Sequence, residues 1–300
     1  MGALRWYRIG TRLASAVPRP LGLVVAGRVA ATASFVLRDR RRLVRRHQER
    51  LARPEVLPAH ELDRRVRAVF STYGQYWFDM LRMTHLDGGG IDAAIVVEGE
   101  QHLADAIAAG KGAVLVMPHL GNWDIGGAWL GRHYPLTVVA ERLEPPEVFD
   151  WFVQQRERNG MRVVGLGPDT AAVLSRDIRA GRALGLLCDR DLHHDGLEVT
   201  FFGERTTLPA GPATLALRNG APVLPVTVYQ SRRGPARGYI GAPLEFQRIG
   251  RFREDATALT QLIAVALEDM IRRAPEQWHV LQPNWPADRE PPADPEGPSR

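Results

Sequence analysis

Short apolar runs alternate with helix-like segments between residues 93 and 229, and this alternation restricts the fold more than any other feature. The runs are AAIVVEG, GAVLVM, LTVVA, MRVVGL, ALGLLC and PVLPVTVY. The segments between them have helical periodicity, and PPEVFDWFVQQRERNG shows prolines at a helix start and a glycine after its end. Strands that are buried on both faces read as continuous apolar runs. The pattern therefore predicts an α/β fold with a mostly parallel central sheet flanked by helices.

The regions around this alternation define the predicted domain limits. A broad apolar stripe predicts a helix over 59–83, and a last helix is expected near 254–274. We expect residues 54–285 to form one α/β domain. Residues 286–300, PADREPPADPEGPSR, are rich in proline and charge, which predicts a disordered tail. Cys188 is the single cysteine and ends an apolar run, so it is expected in the core, with no internal disulfide.

The N-terminal region has a charge that the rest of the chain lacks. Residues 1–53 contain thirteen arginines but only two acidic residues, Asp39 and Glu49, and carry a net charge of +11. Residues 54–300 carry a net charge of −6. A basic arm on a mildly acidic body predicts a polyanionic partner. Stacking aromatic side chains are absent from the basic run RDRRRLVRRHQER, so no nucleic-acid partner is expected.

An anionic membrane surface is the partner that this region predicts. Residues 20–37 are apolar except for Arg28, too few and too interrupted for a spanning helix, and no signal-peptide cleavage site follows. We therefore predict that residues 1–53 are an amphipathic, membrane-binding arm with its apolar side in lipid. The arginines expected on anionic head groups are Arg38, Arg40, Arg41, Arg42, Arg45 and Arg46. The alternative is a core helix with a solvated face of arginines.

The stretch HLGNWD follows the predicted strand 113–117 and carries the candidate chemistry. Ligands bind beyond the carboxyl ends of parallel strands, where His119 is expected. Asp124 would lie in the first turn of the next helix, and a carboxylate on one imidazole nitrogen leaves the other nitrogen as a base. Backbone donors at the helix start, at Gly121 and Asn122, are candidates for binding a developing oxyanion. The spacing alone also fits an ordinary loop histidine beside a helix-start aspartate.

HLGNWD matches the H-x4-D motif of glycerolipid-type acyltransferases, and GAVLVMPHLGNWD resembles the lipid A lauroyl/myristoyl branch of that family. The resemblance spans roughly residues 60–285 and continues through VVAERL, LCDRD, LEVTFFGERTTLPAGPATLALRNGAPVLPV and PEQWHV. The basic N-terminal region and DGLEVTFFGE most resemble the acyltransferases that act on phosphatidylinositol mannosides. The proline–glutamate–glycine–threonine block of the glycerolipid relatives is absent, which argues against a glycerol-phosphate acceptor.

The resemblance implies an acyl-CoA-dependent enzyme that is peripheral on the cytoplasmic face of the plasma membrane. It implies transfer of a fatty acyl chain to a mannose of phosphatidylinositol mannoside, with a lipid A-type or other glycolipid acceptor as the alternative. Acyl-CoA is then a substrate, and neither a cofactor nor a metal is expected. Acyl-chain length, the acceptor hydroxyl and the oligomeric state are left open.

The resemblance also implies roles for particular residues. His119 would be the general base that deprotonates the acceptor hydroxyl. Asp124 is the carboxylate of the motif, and Glu198 falls where this branch has a glutamate that works with the histidine. Which of these two carboxylates orients His119 stays open. Arg142 and Arg190 are the candidates for binding phosphate groups of CoA or of the acceptor.

Two other functions compete with this interpretation. A metal-dependent phosphoesterase would use the dense cluster in CDRDLHHD together with the motif histidine, that is His119, Asp189, Asp191, His193 and His194. This cluster lacks a recognisable metal-ligand motif such as H-E-x-x-H. A non-catalytic lipid-binding protein of the membrane is the second alternative, and it would not need His119, Asp124 and Glu198.

Overall fold

The computed structural model describes residues 2–141, 144–192 and 194–289. Within these residues the chain forms eleven α-helices and nine strands. The helices are α1 Gly2–Ala16, α2 Arg19–Ala33, α3 Arg38–Ala52, α4 Ala59–Met83, α5 Gly88–Ala93, α6 Glu100–Ala108, α7 Trp123–His133, α8 Pro146–Glu157, α9 Thr170–Arg179, α10 Gly211–Asn219 and α11 Phe252–Arg273.

A seven-stranded sheet forms the centre of the fold. The strands are β1 Ile95–Glu98, β2 Ala113–Met117, β3 Leu136–Ala140, β4 Arg162–Gly165, β5 Ala183–Leu187, β6 Leu197–Phe201, β7 Glu204–Leu208, β8 Val223–Tyr229 and β9 Ala236–Ile240. The sheet order is β1-β9-β8-β2-β5-β3-β4, and β8–β9 is its antiparallel pair. The separate strands β6 and β7 form an antiparallel hairpin. The predicted α/β class with a mostly parallel sheet is confirmed.

The central strands β2 and β5 are apolar along their whole length because helices cover both faces of the sheet. The first four residues of each are buried, from Ala113 and from Ala183. Two large apolar clusters lie on opposite sides of the sheet, one with α9, α10 and α11 and the other with α6 and α7. Cys188 is buried at the end of β5, as predicted, and burial raises the pKa of its thiol.

The first three helices, which the sequence predicts as an N-terminal arm, pack on α4. Helix α2 crosses α4 at glycines: a Cβ on Gly74 would lie 2.6 Å from Ala26 O, so only glycine permits this approach. Helix α3 contributes Val44 to an apolar cluster with Val66 and Phe70 of α4. Through α4, the described residues 2–53 therefore pack against the rest of the domain.

The α3 arginines that were predicted to face lipid have mostly protein partners. Arg45 Nη1 lies 2.7 Å from Asp63 Oδ1, and Arg41 contacts the same carboxylate at 3.3 Å. Arg40 Nη1 donates to Leu281 O across 2.7 Å. Arg46 donates to Ala287 O at 3.4 Å, and Arg42 pairs with Asp39 at 2.7 Å. Arg38 is exposed at the helix start. Most of these arginines thus have partners within the protein, namely Asp63, Asp39 and two backbone carbonyl groups.

The described chain end also differs from the predicted tail. Pro286–Asp288 form a 3-10 turn, and Asp288 has a fully buried side chain. Arg50 and His47 of α3 both contact its carboxylate, at 2.7 and 3.1 Å. Residues 275–289, here called the C-terminal segment, are therefore tied to α3 through Asp288. The predicted tail beyond residue 289 lies outside the described residues.

No single helix among the described residues has the length and apolar composition to cross a bilayer. Helices α2 and α3 have sufficient length and apolar composition only when they are taken together, and the chain bends by 102° between them.

Candidate functional site

Two neighbouring parallel strands bring His119 and Asp189 together. Strands β2 and β5 pair in register, with Met117 opposite Leu187. His119 follows Met117 by two residues, and Asp189 follows Leu187 by two residues. Because the strands are parallel, both side chains leave the same carboxyl edge of the sheet at the same height.

A short hydrogen bond joins the two side chains. His119 Nδ1 lies 2.6 Å from Asp189 Oδ1, and the backbone N–H of His119 donates to Oδ2 across 2.9 Å. Trp278 Nε1 donates to the same Oδ2 across 2.7 Å. Burial raises the pKa of Asp189, but the facing imidazole and these donors outweigh burial and hold the pKa below its usual value. Asp189 is therefore an ionised acceptor within the fold.

An ionised Asp189 determines which imidazole nitrogen carries the proton. In the neutral imidazole, Nδ1–H then donates to the carboxylate and Nε2 of His119 keeps its lone pair. The His119 side chain is 26% exposed, whereas Asp189 is fully buried. This arrangement presents an unprotonated nitrogen at the open edge of the sheet and can accept a proton from a bound hydroxyl.

Neither carboxylate that the sequence offered is the partner of His119, and the prediction that Asp124 or Glu198 orients the imidazole needs correction. Asp124 faces α4 and α8: Tyr76 Oη donates to Oδ2 across 2.6 Å, and Arg156 donates to Oδ1 at 2.9 and 3.2 Å. Glu198 is exposed on the β6–β7 hairpin, and no hydrogen bond or ion pair joins its carboxylate to another described residue.

The Asp124 cluster is buried and electrostatically strong. Burial raises the pKa of Tyr76, and the Asp124 carboxylate raises it further, so the phenol stays protonated. Asp124 also raises the pKa of Arg156, against the opposing effect of burial. A single carboxylate thus holds together α4, α7 and α8. Its side chain is 7% exposed, which leaves little room for a sugar hydroxyl while these partners remain.

The backbone donors predicted at Gly121 and Asn122 are already used. Gly121 has a φ of 62°, and its N–H donates to Gln277 O across 3.0 Å. Asn122 N donates to Val228 O at 3.0 Å, and its side chain caps α7 by accepting from Ile125 N at 3.1 Å. These two residues fix the loop. Within the described chain, the N–H groups of Trp123 and Asp124 are the first-turn donors of α7 that no acceptor occupies.

Of the two arginines predicted to bind phosphate, Arg190 lies within the described residues. Arg190 directly follows Asp189, and its Nη2 lies 3.4 Å from Glu141 Oε2. Its side chain is 18% exposed, and its Nε has no partner in the described structure. Arg142 lies outside the described residues, as does His193 of the CDRDLHHD cluster. No group of three or more potential metal-ligating side chains occurs among the described residues.

Sequence reasoning missed the role of Asp189 and the contribution of the C-terminal segment. Asp189 was considered only as a possible metal ligand. The signal that identifies it is the equal spacing of two residues after each of two apolar strands, once those strands are known to be neighbours. Asn284 Nδ2 also donates to Asp189 O at 3.0 Å, and no local sequence pattern predicts this contact.

The chain belongs to an acyltransferase family, the bacterial lipid A biosynthesis acyltransferases, whose family model matches residues 3–286. Among curated proteins, the chain is 36% identical over 289 residues to the phosphatidylinositol mannoside acyltransferase of Mycolicibacterium smegmatis, covering 94% of this chain and 91% of that protein. It is 39% identical over 239 residues to the phosphatidylinositol mannoside acyltransferase of Mycobacterium tuberculosis, covering 78% and 74% of the two chains.

Proposed function

We propose that this protein transfers a fatty acyl chain from acyl-CoA to a mannose hydroxyl of phosphatidylinositol mannoside. The observation that carries the proposal is the His119–Asp189 pair, whose free Nε2 lies at the carboxyl edge of the sheet. The names of both relatives, which match most of this chain, support the acceptor. Family membership supports acyl transfer as the reaction class.

The proposed mechanism uses one imidazole as base and then as acid. Nε2 of His119 takes the proton of the mannose hydroxyl while the hydroxyl oxygen attacks the thioester carbonyl carbon. The resulting imidazolium is stabilised by Asp189, which receives the Nδ1–H hydrogen bond throughout. Collapse of the tetrahedral intermediate breaks the carbon–sulfur bond, and the proton on Nε2 passes to the CoA thiolate. The acyl ester and free CoA are the products.

The negative oxygen of the tetrahedral intermediate requires hydrogen-bond donors. We place it at the start of α7, where the N–H groups of Trp123 and Asp124 point out of the first turn and the helix dipole favours negative charge. Arg190 lies beside Asp189 and is the described candidate for a phosphate of CoA or of the acceptor. Arg142 keeps the same proposed role.

The proposed acceptor is a membrane lipid, so the site must lie at a bilayer surface. Helices α1 and α2 expose an apolar surface that includes Trp6, 72% exposed, and Val29, 64% exposed. Other exposed members are Leu13, Leu21, Val24 and Val25, and Phe35, Val36 and Leu37 follow α2 directly in the chain. Exposed apolar side chains in such number are typical of an interaction site. We name this set the α1–α2 apolar surface.

Charge also supports lipid as the partner of this surface. Residues 1–38 contain no acidic side chain, and Arg5, Arg8, Arg12 and Arg28 are exposed on α1 and α2. Apolar side chains flanked by arginines match an anionic lipid surface. Leu4 and Tyr7 of α1 and Trp123 of the motif pack against the same apolar cluster, which supports a position of this surface near the site. We therefore propose a peripheral protein on the cytoplasmic face of the plasma membrane, where acyl-CoA is available.

The test is transfer of a labelled acyl chain from acyl-CoA to purified phosphatidylinositol mannoside in mixed vesicles. We expect labelled acylated product with the unaltered protein and a loss of roughly 10²–10⁴-fold with His119→Ala. His133→Ala is the matched control, because His133 is an exposed histidine of α7 that pairs with Asp92. Transfer to a lipid A-type precursor but not to the mannoside would show that the proposed acceptor is wrong. An active His119→Ala variant would refute the proposed base.

A further inference from the structure

The C-terminal segment supports the His119–Asp189 pair from behind. The backbone N–H of His279 donates to His119 O across 2.8 Å, and Gln277 O accepts from Gly121 N across 3.0 Å. Asn284 Nδ2 donates a hydrogen bond to the backbone carbonyl of Asp189. Only Trp278 of this segment reaches the carboxylate itself, through Nε1 and Oδ2 at 2.7 Å.

We propose that Trp278 is a positioning residue that sets the orientation of Asp189 and, through it, the basicity of His119. The inference rests on the proposed function of His119 as the general base. Oδ1 of Asp189 faces the imidazole, whereas Oδ2 is held by the indole N–H and by the backbone N–H of His119. Two donors on one oxygen fix the rotation of the carboxylate, so the other oxygen stays aligned with Nδ1.

The indole N–H also draws negative charge toward Oδ2. A carboxylate with fewer donors keeps more charge on Oδ1 and stabilises the protonated imidazole more strongly. Removing the Trp278 donor should therefore strengthen the stabilisation of the protonated imidazole by Asp189. At the same time the carboxylate gains freedom to rotate, which weakens the alignment that proton transfer needs.

Trp278 is also a packing residue, and the two roles can be separated. Its side chain is 1% exposed and lies among the rings of Phe201, Phe202, His47 and Trp285. Trp285 is fully buried in the same cluster, but its Nε1 donates to Phe201 O across 3.2 Å, away from Asp189. Replacing either tryptophan by phenylalanine removes a similar volume of aromatic side chain. Only Trp278→Phe removes a donor from the carboxylate.

Among the described residues, the titratable groups near His119 come from the C-terminal segment, from α7 and from the loop after β5. From the C-terminal segment, burial and the nearby His119 lower the pKa of His279 to about 3, so His279 is neutral above that pH. From α7, Asp124 faces away and is paired with Arg156 of α8 and Tyr76 of α4. From the loop after β5, Asp189 is the direct partner, with the neighbouring residues Arg190 and Asp191.

The experiment compares Trp278→Phe with Trp285→Phe in the acyl-transfer assay between pH 5 and 9. We expect Trp278→Phe to lower kcat by roughly tenfold with little change in the KM for acyl-CoA, and to move the acid limb of the kcat profile upward by about one pH unit. Trp285→Phe should lose stability yet keep the profile of the unaltered protein. Histidine NMR titration of the resting protein should show the same upward movement for His119 in Trp278→Phe alone.

Equal pH profiles and equal His119 titrations in the two variants would overturn the inference, because a packing role alone produces that result. If Trp278→Phe does not fold, benzothienylalanine introduced at position 278 keeps the bicyclic shape and replaces the N–H by sulfur. An unchanged His119 titration in that protein would also overturn it. An active His119→Ala variant, in contrast, would reject the proposed base. An inactive His119→Ala with an unchanged Trp278→Phe profile would reject this inference only.

Discussion

Tyr76 on α4 donates its phenol hydroxyl to Asp124 on α7 across 2.6 Å, and this bond lies beneath the motif. Arg156 of α8 completes the arrangement from the other side of the carboxylate. The motif aspartate therefore connects three helices. We infer that it fixes the start of α7, and with it the loop that carries His119, while the direct partner of the imidazole is Asp189.

Loss of the Tyr76 hydroxyl should destabilise the protein. Tyr76→Phe removes a buried hydrogen bond to a charged group, and such bonds contribute about 1.5–3 kcal/mol to the free energy of unfolding. Urea denaturation measures this change. Tyr73→Phe is the control: Tyr73 lies on the same helix and stacks on Tyr76 with ring centroids 6.0 Å apart, but its hydroxyl does not bond Asp124. An equal decrease in the free energy of unfolding in the two variants would contradict the role assigned to this bond.

His279 should make the fold sensitive to mild acid. Thr72 Oγ1 donates to Glu276 O and accepts from Nε2 of His279. The other ring nitrogen, Nδ1, is buried and has no partner among the described residues. Burial and His119 lower the pKa of His279 from 6.5 to about 3. Because the folded-state pKa lies below the unfolded one, the stabilisation is complete above about pH 6.5 and is lost as pH falls toward 3.

The corresponding variant is His279→Gln, which retains a donor for Thr72 but does not titrate. Between pH 7.5 and 5.5, the free energy of unfolding of the unaltered protein should fall by about 1.4 kcal/mol more than that of His279→Gln. His60→Gln, at an exposed position on α4, should keep the full acid dependence. If His279→Gln loses as much stability over this range as the unaltered protein, the buried neutral state of His279 is not the cause.

The parts of the fold that the sequence predicted are those whose pattern is local. Strands β2, β3 and β5 are continuous apolar runs, and α4 has the predicted bounds, Ala59–Met83. Strand β9, ARGYI, has no such run, and it forms because β1 and β8 on either side provide hydrogen-bond partners. The antiparallel β6–β7 hairpin has mixed polarity along both strands and gave no clear strand signal.

The same distinction between local and non-local signals applies to the candidate site. The position of His119 follows from one strand and its loop, and sequence alone predicts it. Its pairing with Asp189 depends on the register of two strands that are 70 residues apart in sequence. The α3 arginines were predicted to face lipid because their partners, Asp63 and the carbonyl groups of Leu281 and Ala287, cannot be recognised from the run itself. Non-local contacts decide both cases.

Membrane binding should depend on the α1–α2 apolar surface rather than on α3. Val25 and Val29 are 51% and 64% exposed and lie one turn apart on α2. The double change Val25→Glu with Val29→Glu places two charges where we expect lipid, so it should release most of the protein from anionic vesicles in a sedimentation assay. Hydrolysis of a soluble short-chain acyl-CoA should be nearly unchanged.

The matched control for this experiment lies on α11, where Leu262 and Val265 are also exposed. Changing both to glutamate should leave vesicle binding intact. Changing Arg5, Arg8, Arg12 and Arg28 to glutamine should weaken binding to anionic vesicles and reduce its salt dependence. Undiminished binding of the Val25/Val29 variant, or equal binding of the unaltered protein to neutral and anionic vesicles, would contradict the proposed surface.

The most direct test of the central claim is the kcat of Asp189→Asn with labelled acyl-CoA and phosphatidylinositol mannoside both saturating. The amide keeps the size of the carboxylate but removes the charge that holds the Nδ1–H tautomer and stabilises the imidazolium. We expect kcat to fall by roughly 10²–10⁴-fold. Glu198→Gln, at an exposed carboxylate, should keep a kcat close to that of the unaltered protein. A nearly unchanged kcat for Asp189→Asn, or a collapse of kcat for Glu198→Gln instead, would contradict the account.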